Sequence, residues 1–380
     1  MTTAGAMTPR ERFIAALRGG QPDRVPVCPD ISNMIPCRLT GKPFWDVYLF
    51  QNPPLWKAYI DAVKYFGFDG WSSWVPDLKL RKTPPFTLTP RTLSRSCIIG
   101  AVSLDTPHGA ISAEVTFRRD NPPAVTAHPL KDLAADVKKV RWLLGNVRGF
   151  GFENSARRRD ELGERGALGV AVTLPGFQGW VEFAPLENLV FSYYDRPDLI
   201  EELRLLHHNL TVRMTEAILD FRPDFLDIAA SGSITLQSPE IFRRLSLPTL
   251  KTITKMANEA GIPSMMHSCG KARALVEICA AETRLDCLNP LERPPLGDCD
   301  LAEVKKLYGH RLALMGNLPT TTLMLHGTPD EVEKECIQAI RDAAPGGGFI
   351  LSTGDQCGRD TPDENILRMI QTAHRFGRYD

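Results

Sequence analysis

Short apolar or β-branched runs recur along the chain, each bounded by polar, glycine-rich or proline-rich segments. They are Val25 to Ile31, Phe68 to Ser72, Leu168 to Leu174, Phe225 to Ala230, Ile262 to His267, Leu285 to Pro290, Leu312 to Asn317 and Gly348 to Thr353. Runs of this length and composition predict eight strands. Helical stretches lie between them and open with repeated punctuation. Thr8-Pro9-Arg10-Glu11 sets a cap, a first-turn proline and a capping-box glutamate before a helix that Gly19-Gly20 stops. The same signal returns at Ser238-Pro239-Glu240, Thr328-Pro329-Asp330-Glu331 and Thr361-Pro362-Asp363-Glu364.

Strands that alternate with helices pair in parallel, and eight of them predict an α/β fold of the closed (β/α)8 TIM-barrel type. One domain spans residues 1–380 in this reading, with an N-terminal helical extension. The segment Ser96 to Arg119, centred on Asp105-Thr106-Pro107-His108-Gly109, breaks the rhythm. It predicts a β-hairpin inserted between the second and third strands and covering part of the mouth.

The carboxyl ends of barrel strands form the active face, so chemistry is sought there. His267-Ser268-Cys269-Gly270 closes one apolar run, and Cys357 follows the last one in Ser352-Thr353-Gly354-Asp355-Gln356-Cys357-Gly358. A His and a Cys two apart on a strand point to one face. His267, Cys269 and Cys357 thus predict a zinc site that keeps a coordination position open, as catalytic zinc does. A second reading stays open, in which His267 bonds a backbone group and the two cysteines are small buried hydrophobes.

Composition narrows the partners. Lys plus Arg and Asp plus Glu both number 45 in the 380 residues, so no net field draws the chain to nucleic acid or an anionic membrane. No run approaches the ~20 apolar residues of a membrane span. The nine cysteines are scattered, and no signal peptide is read at Met1-Thr2-Thr3-Ala4, which together suit a reducing cytoplasm. Ala344-Pro345-Gly346-Gly347-Gly348 lacks the Lys and Ser/Thr of a phosphate loop and predicts a turn. His207-His208 is expected on a helix surface, and Arg157-Arg158-Arg159 on a solvated helix face.

Six stretches in order, Met7-Thr8-Pro9-Arg10-Glu11-Arg12-Phe13 with Pro22-Asp23-Arg24-Val25-Pro26-Val27, His267-Ser268-Cys269-Gly270, Leu288-Asn289-Pro290-Leu291, Met315-Gly316-Asn317 and Thr361-Pro362-Asp363-Glu364-Asn365, resemble the uroporphyrinogen decarboxylase superfamily. That superfamily has a distorted (β/α)8 barrel, which agrees with the strand count. Its decarboxylases carry an Arg-rich Met-Arg-Gln-Ala-Gly-Arg motif after the first strand, suited to a polycarboxylate substrate. Here that stretch is Cys28-Pro29-Asp30-Ile31-Ser32-Asn33-Met34-Ile35-Pro36-Cys37-Arg38, without the motif.

The chain is more similar to the corrinoid-linked methyltransferases of the superfamily, the aryl-ether O-demethylases above all. The resemblance implies a zinc ion, and a corrinoid (cobalamin) carried by a separate partner protein, since no Asp-x-His-x-x-Gly segment stands in this chain. It also implies a small methylated donor such as a methoxylated phenol. Methylation of a thiol, porphyrinogen decarboxylation and a non-catalytic barrel binding metal or corrinoid protein are the alternatives; a homodimer is left open. Measured back from Thr361-Pro362, the relatives' distal ligand falls nearer Asp355 than Cys357, so both stand as third ligand.

Trp71 and Trp74, Phe177 and Trp180, with Met266 and Met315, are expected to wall an aromatic substrate or the corrin edge, or else to pack against loops. Gln178, Glu182 and Asn317 are placed with the groups that reach substrate. Asp30 and Asp227, at the ends of the first and fourth strands, are the candidate proton carriers alongside Glu182, with loop or cap roles equally open.

Overall fold

Along the chain, β1 (Gly70–Ser72) belongs to the barrel. An insertion then supplies β2 (Asp77–Leu80), β3 (Phe86–Leu93), β4 (Cys97–Thr106), β5 (Gly109–Arg118), β6 (Ala124–Ala127) and β7 (Val147–Gly151). The barrel resumes with β8 (Gly166–Thr173), β9 (Phe225–Ala229), β10 (Ser264–His267), β11 (Cys287–Asn289), β12 (Ala313–Leu318) and β13 (Phe349–Thr353). The computed structural model describes residues 6–379, so the Met1-Thr2-Thr3-Ala4 start lies outside the described residues.

Seven parallel strands form one curled sheet in the order β1-β8-β9-β10-β11-β12-β13. The eighth expected strand, Val25 to Ile31, is reduced to a seam. Val27 makes a single parallel bridge to Leu351 on β13, with Leu351 N–H donating to Pro26 and Cys28 N–H donating to Leu351, each over 2.9 Å. On its other side Asp69 N–H donates to Val27 over 2.9 Å. Pro26 and Pro29 have no N–H to give, which is why a regular ladder fails here although the segment still closes the barrel.

Buried Asp69 holds that seam. Its carboxylate takes the Arg12 and Arg24 guanidinium groups at 2.6 and 2.7 Å and the Val27 N–H at 2.9 Å. The N-terminal helix Pro9–Leu17 has the expected capping box of Thr8 and Glu11, and its Phe13 packs 5.9 Å from Phe225. It packs against β1, β8, β12 and β13 and so closes one end of the barrel. The capping box also forms at Thr328 and Glu331, and Ser238 caps its helix. Thr361 does not cap: the last helix, Asp363–Phe376, starts from Pro362 and the Thr361 hydroxyl is buried without a partner.

The insertion is larger than the hairpin expected over 96–119. That hairpin exists as β4 and β5, but β3 and β6 extend it to a four-stranded antiparallel sheet, and β2 pairs with β7 as a second ribbon. Pro90 sits in β3, at the sheet's edge where a missing donor is tolerated. Arg359, in the loop after β13, bonds the Asp120 backbone and pairs with its carboxylate at 3.0 Å, so the insertion does touch the loops of the active face. The Ala344–Gly348 stretch is the expected turn: Gly346, Gly347 and Gly348 have φ of 82°, 82° and 64°, which side chains resist. Among the described residues no helix is long and apolar enough to cross a membrane.

Candidate metal centre at the barrel mouth

Alternation decides which strand residues see the barrel interior. A Cβ on Gly70 would strike Val63 of an outer helix, so Trp71 between Gly70 and Ser72 faces inward. Its ring meets Phe225 edge-on at 5.9 Å. A Cβ on Gly169 would strike the same Phe225 ring, which fixes the inward face of β9 as Phe225, Asp227 and Ala229. The ladders pair Met265 with Asp227, and His267 with Ala229 and Asn289, so Met265 and His267 face inward from β10.

His267 thus ends its strand pointing into the mouth, and the chain turns at once. Ser268 N–H donates to Asn289 over 2.8 Å, and Gly270, with φ +82°, sends its N–H to the Glu292 carboxylate. A Cβ on Gly270 would sit 2.1 Å from the Thr235 hydroxyl, so only glycine allows the turn that presents Cys269 beside His267. From β13, Thr353 donates to the Asp355 backbone over 2.7 Å and curls the following loop inward. That loop is tied to the first-strand seam by Cys357 N–H donating to Asp30 over 2.7 Å.

These turns bring His267, Cys269 and Asp355 together: one ligand atom from each lies within 4.8 Å of the others. His267 Nε2 and Asp355 Oδ1 are 3.8 Å apart. Ligand atoms on a tetrahedral zinc are separated by roughly 3.3–3.8 Å, given bonds of about 2.0–2.3 Å, so a small contraction seats the ion. Nitrogen, sulfur and oxygen donors suit zinc, and three protein ligands leave the fourth position open.

Electrostatics favours a cation there. Burial disfavours a charged imidazole, yet the Cys269 side chain and the carboxylates of Asp30 and Asp355 outweigh it and raise the His267 pKa to about 9. Burial pushes the Asp355 carboxyl up, with His267 opposing and Asp30 reinforcing. Glu292 is also raised by burial, against the Gly270 N–H bond, and by Asp355. A divalent ion relieves this crowding of acids better than a shared proton does.

Cys357 stands outside the cluster. It is fully buried, faces the Thr353 and Thr361 side chains, and has its thiol pushed up to about 12 by burial and the nearby Asp30. It behaves as the small buried hydrophobe of the second sequence reading. Asp30 is fixed at the seam: its N–H bonds Thr353, its Oδ1 takes the Ser32 N–H, and its charge is felt by His267.

The aromatic wall does not assemble as expected. Trp71 lines the interior, but Trp74 is 53% exposed and packs on Arg158, whose guanidinium lies 5.3 Å from its ring and 5.9 Å from Trp56. Arg158 is accordingly buried rather than solvated. Phe177 and Trp180 are buried in a satellite core with Leu189, Leu203 and Leu245. There His207, expected at the surface, lies edge-on to Trp180 and bonds Thr173 over 2.8 Å. Burial lowers its pKa to about 4.

Met266 falls on the opposite face of β10 from His267, in the core behind the barrel wall, and Met265 takes the interior place. Gln178 is engaged with Gln237 and Ser246, and Glu182 is exposed in a turn after the short helix Phe177–Gly179. Asn317 is fully buried, donating to Leu291 and accepting from Arg293, which leaves it serving the loop. Glu292 and Asn289 were missed; both lie in or just past the Leu288-Asn289-Pro290-Leu291 strand end, the place where such groups are to be sought.

Residues 97–376 match the family model described as uroporphyrinogen decarboxylase (URO-D). The chain belongs to the uroporphyrinogen decarboxylase family. It is similar to a Methanosarcina barkeri protein named methylcobamide:CoM methyltransferase MtaA, 27% identical over 182 residues, 48% of this chain and 50% of that one. It is equally similar to a uroporphyrinogen decarboxylase of Methylobacillus flagellatus, 27% identical over 207 residues, 52% and 53% of the two chains. The chain thus spans about half the length of the curated relatives it matches. A solved structure described as a methyltransferase from Methanosarcina mazei shares the fold, with TM-score 0.67 and 19% identity, over 97% of this chain and 99% of that chain.

Proposed function

We propose that this protein is a zinc-dependent methyltransferase that passes a methyl group from a small oxygen-linked donor to the cob(I)alamin of a separate corrinoid protein. The observation that carries the reading is the convergence of His267, Cys269 and Asp355 at the barrel mouth. The similarity to a relative named methylcobamide:CoM methyltransferase supports the corrinoid-linked methyl transfer in this reading.

When bound, the metal supplies a Lewis acid. One thiolate, one imidazole and one carboxylate form a harder donor set than two thiolates and an imidazole, which suits an oxygen donor better than a thiol. Trp71 offers the interior one flat apolar wall, and methoxylated aromatics are the donor class proposed.

Porphyrinogen decarboxylation fits poorly. Asp30, Glu292 and Asp355 crowd the mouth with negative charge. The arginines near the first strand are engaged elsewhere, Arg24 by Asp69 and Arg38 by Asp363. Metal analysis of the purified protein, followed by mixing with a reduced corrinoid protein and methoxyarenes, methanol, methylamines and methylthiols, tests the reading. Near-stoichiometric zinc and methylcobalamin absorbance with the methoxyarenes are expected. No zinc, together with turnover of a porphyrinogen, overturns it.

A further inference from the structure

The buried aspartates of this barrel differ in one respect. Asp69 accepts from Arg12, Arg24 and the Val27 N–H, and Asp136, on the helix Leu133–Gly145, accepts from the Lys131 and Asp132 N–H groups and from Lys139. Each is held as a structural anion or acceptor. Asp227 is just as enclosed, 5% exposed, yet its Oδ1 has no hydrogen-bond partner. A buried carboxyl oxygen without a partner costs free energy that a purely structural role does not return.

Its position explains the cost. Asp227 faces the interior from β9, next to the strand that carries His267 and one inward position deeper, about 8 Å between Cα atoms by strand spacing. On the other side of that strand, Asn289 Oδ1 is also buried without a partner. Two unpartnered oxygens flanking His267 mark the seat of a polar guest beneath the mouth.

We propose that Asp227, in its acid form, gives a proton to the departing oxygen of the methyl donor. This role presupposes the oxygen-linked donor proposed above. Cobalt(I) of the corrinoid supplies the electron pair of the new cobalt–carbon bond. The carbon–oxygen bond breaks with its pair going to oxygen, that oxygen takes the Asp227 proton, and the carboxylate is reprotonated from water through the open mouth. Ser73, in the segment after β1, His267 on β10 and the Ile228 N–H face Asp227 and favour its charged form, and burial outweighs them and raises its pKa to about 6.

The test uses the full chain, Asp227→Asn and Asp227→Glu, a reduced corrinoid protein, and two methoxyarenes of similar shape, one bearing a ring nitro group that stabilises the phenoxide. Asn keeps the shape but has no proton to give. The expected result is methylcobalamin formation at least ~100-fold slower for Asp227→Asn with the unactivated ether, under ~10-fold slower with the nitro ether, recovery in Asp227→Glu, and unchanged zinc content. Equal slowing with both ethers, or none with either, overturns the role. Transfer by the wild type from methylthiols alone also overturns it, since a thiolate leaves without a proton, but keeps metal-dependent transfer. A wild type that methylates cobalt from no donor overturns both.

Discussion

His267 Nε2 and Asp355 Oδ1 stand 3.8 Å apart although they come from different strand ends, β10 and β13, with two strands between them. Cys269 completes the group from the turn beyond His267. Removing His267 or Cys269 leaves two ligands on separate loops, and removing Asp355 leaves only the pair at the end of β10. His267→Ala, Cys269→Ala and Asp355→Ala should each lower zinc affinity by at least ~10-fold, the loss expected even for a group that merely supports a ligand. Cys357→Ala should keep its zinc and lose roughly 1 kcal/mol of stability from the small cavity. Metal titration against a chelator, with thermal melts, separates the four.

The turn after Cys269 depends on Gly270. Gly270→Ala sets a methyl group against the Thr235 hydroxyl and holds an unfavourable φ, so zinc affinity should fall while the barrel stays folded. Adding Thr235→Ala to the same chain should recover part of the loss, because it relieves the clash but not the φ. Absence of any recovery would show that the contact is not what positions Cys269.

Asp227 makes a pH-dependent demand on stability. Its pKa is raised from the ordinary 3.8 to about 6, so the native state holds the proton more tightly than the unfolded chain. Stability from this group is fully present below pH 3.8 and is lost as pH rises through about 6. Asp227→Asn should then stabilise the protein at pH 7 by up to about 3 kcal/mol and change little at pH 3.5. Urea unfolding at the two pH values reads the difference; a variant less stable than the wild type at pH 7 would contradict it.

At the barrel seam, Asp69→Ala leaves Arg12 and Arg24 without their shared carboxylate. Arg12 keeps Asp23 at 2.6 Å, so Arg24 is the cation left stranded, at a cost of about 3 kcal/mol. The loss should appear as a lower unfolding midpoint, with the active face disturbed least because the seam bond lies at the entry to β1. An unchanged midpoint would mean that the seam closes without this network.

Much of this was legible in the sequence, and the errors have physical causes. The apolar runs located all eight barrel segments, but only Pro26 and Pro29 told that the first would be a seam and not a ladder. The His-x-Cys spacing pointed to two of the three clustered residues, although Cys269 reaches the site through the Gly270 turn and not through strand alternation. The same alternation, applied to Met266, excludes it from the interior as soon as His267 is placed there. For Trp74, Phe177 and Trp180 a position after a strand end does not give direction, and the structure packs each against Arg158 or the satellite core, the second of the two expectations. Cys357 and Asp355 both stand as third ligand in the sequence, and the Thr353–Asp355 turn decides which side chain lies near His267 and Cys269. Asp227 was visible as a strand-end carboxylate, but its missing partner appears only in three dimensions.

X-ray absorption at the zinc edge of the purified protein tests the central claim most directly, because sulfur and the lighter donors scatter at different distances. The account predicts one sulfur at about 2.3 Å with nitrogen and oxygen neighbours at about 2.0–2.2 Å, from Cys269, His267 and Asp355. Two sulfurs on the metal, or a protein that takes up no zinc, would contradict it.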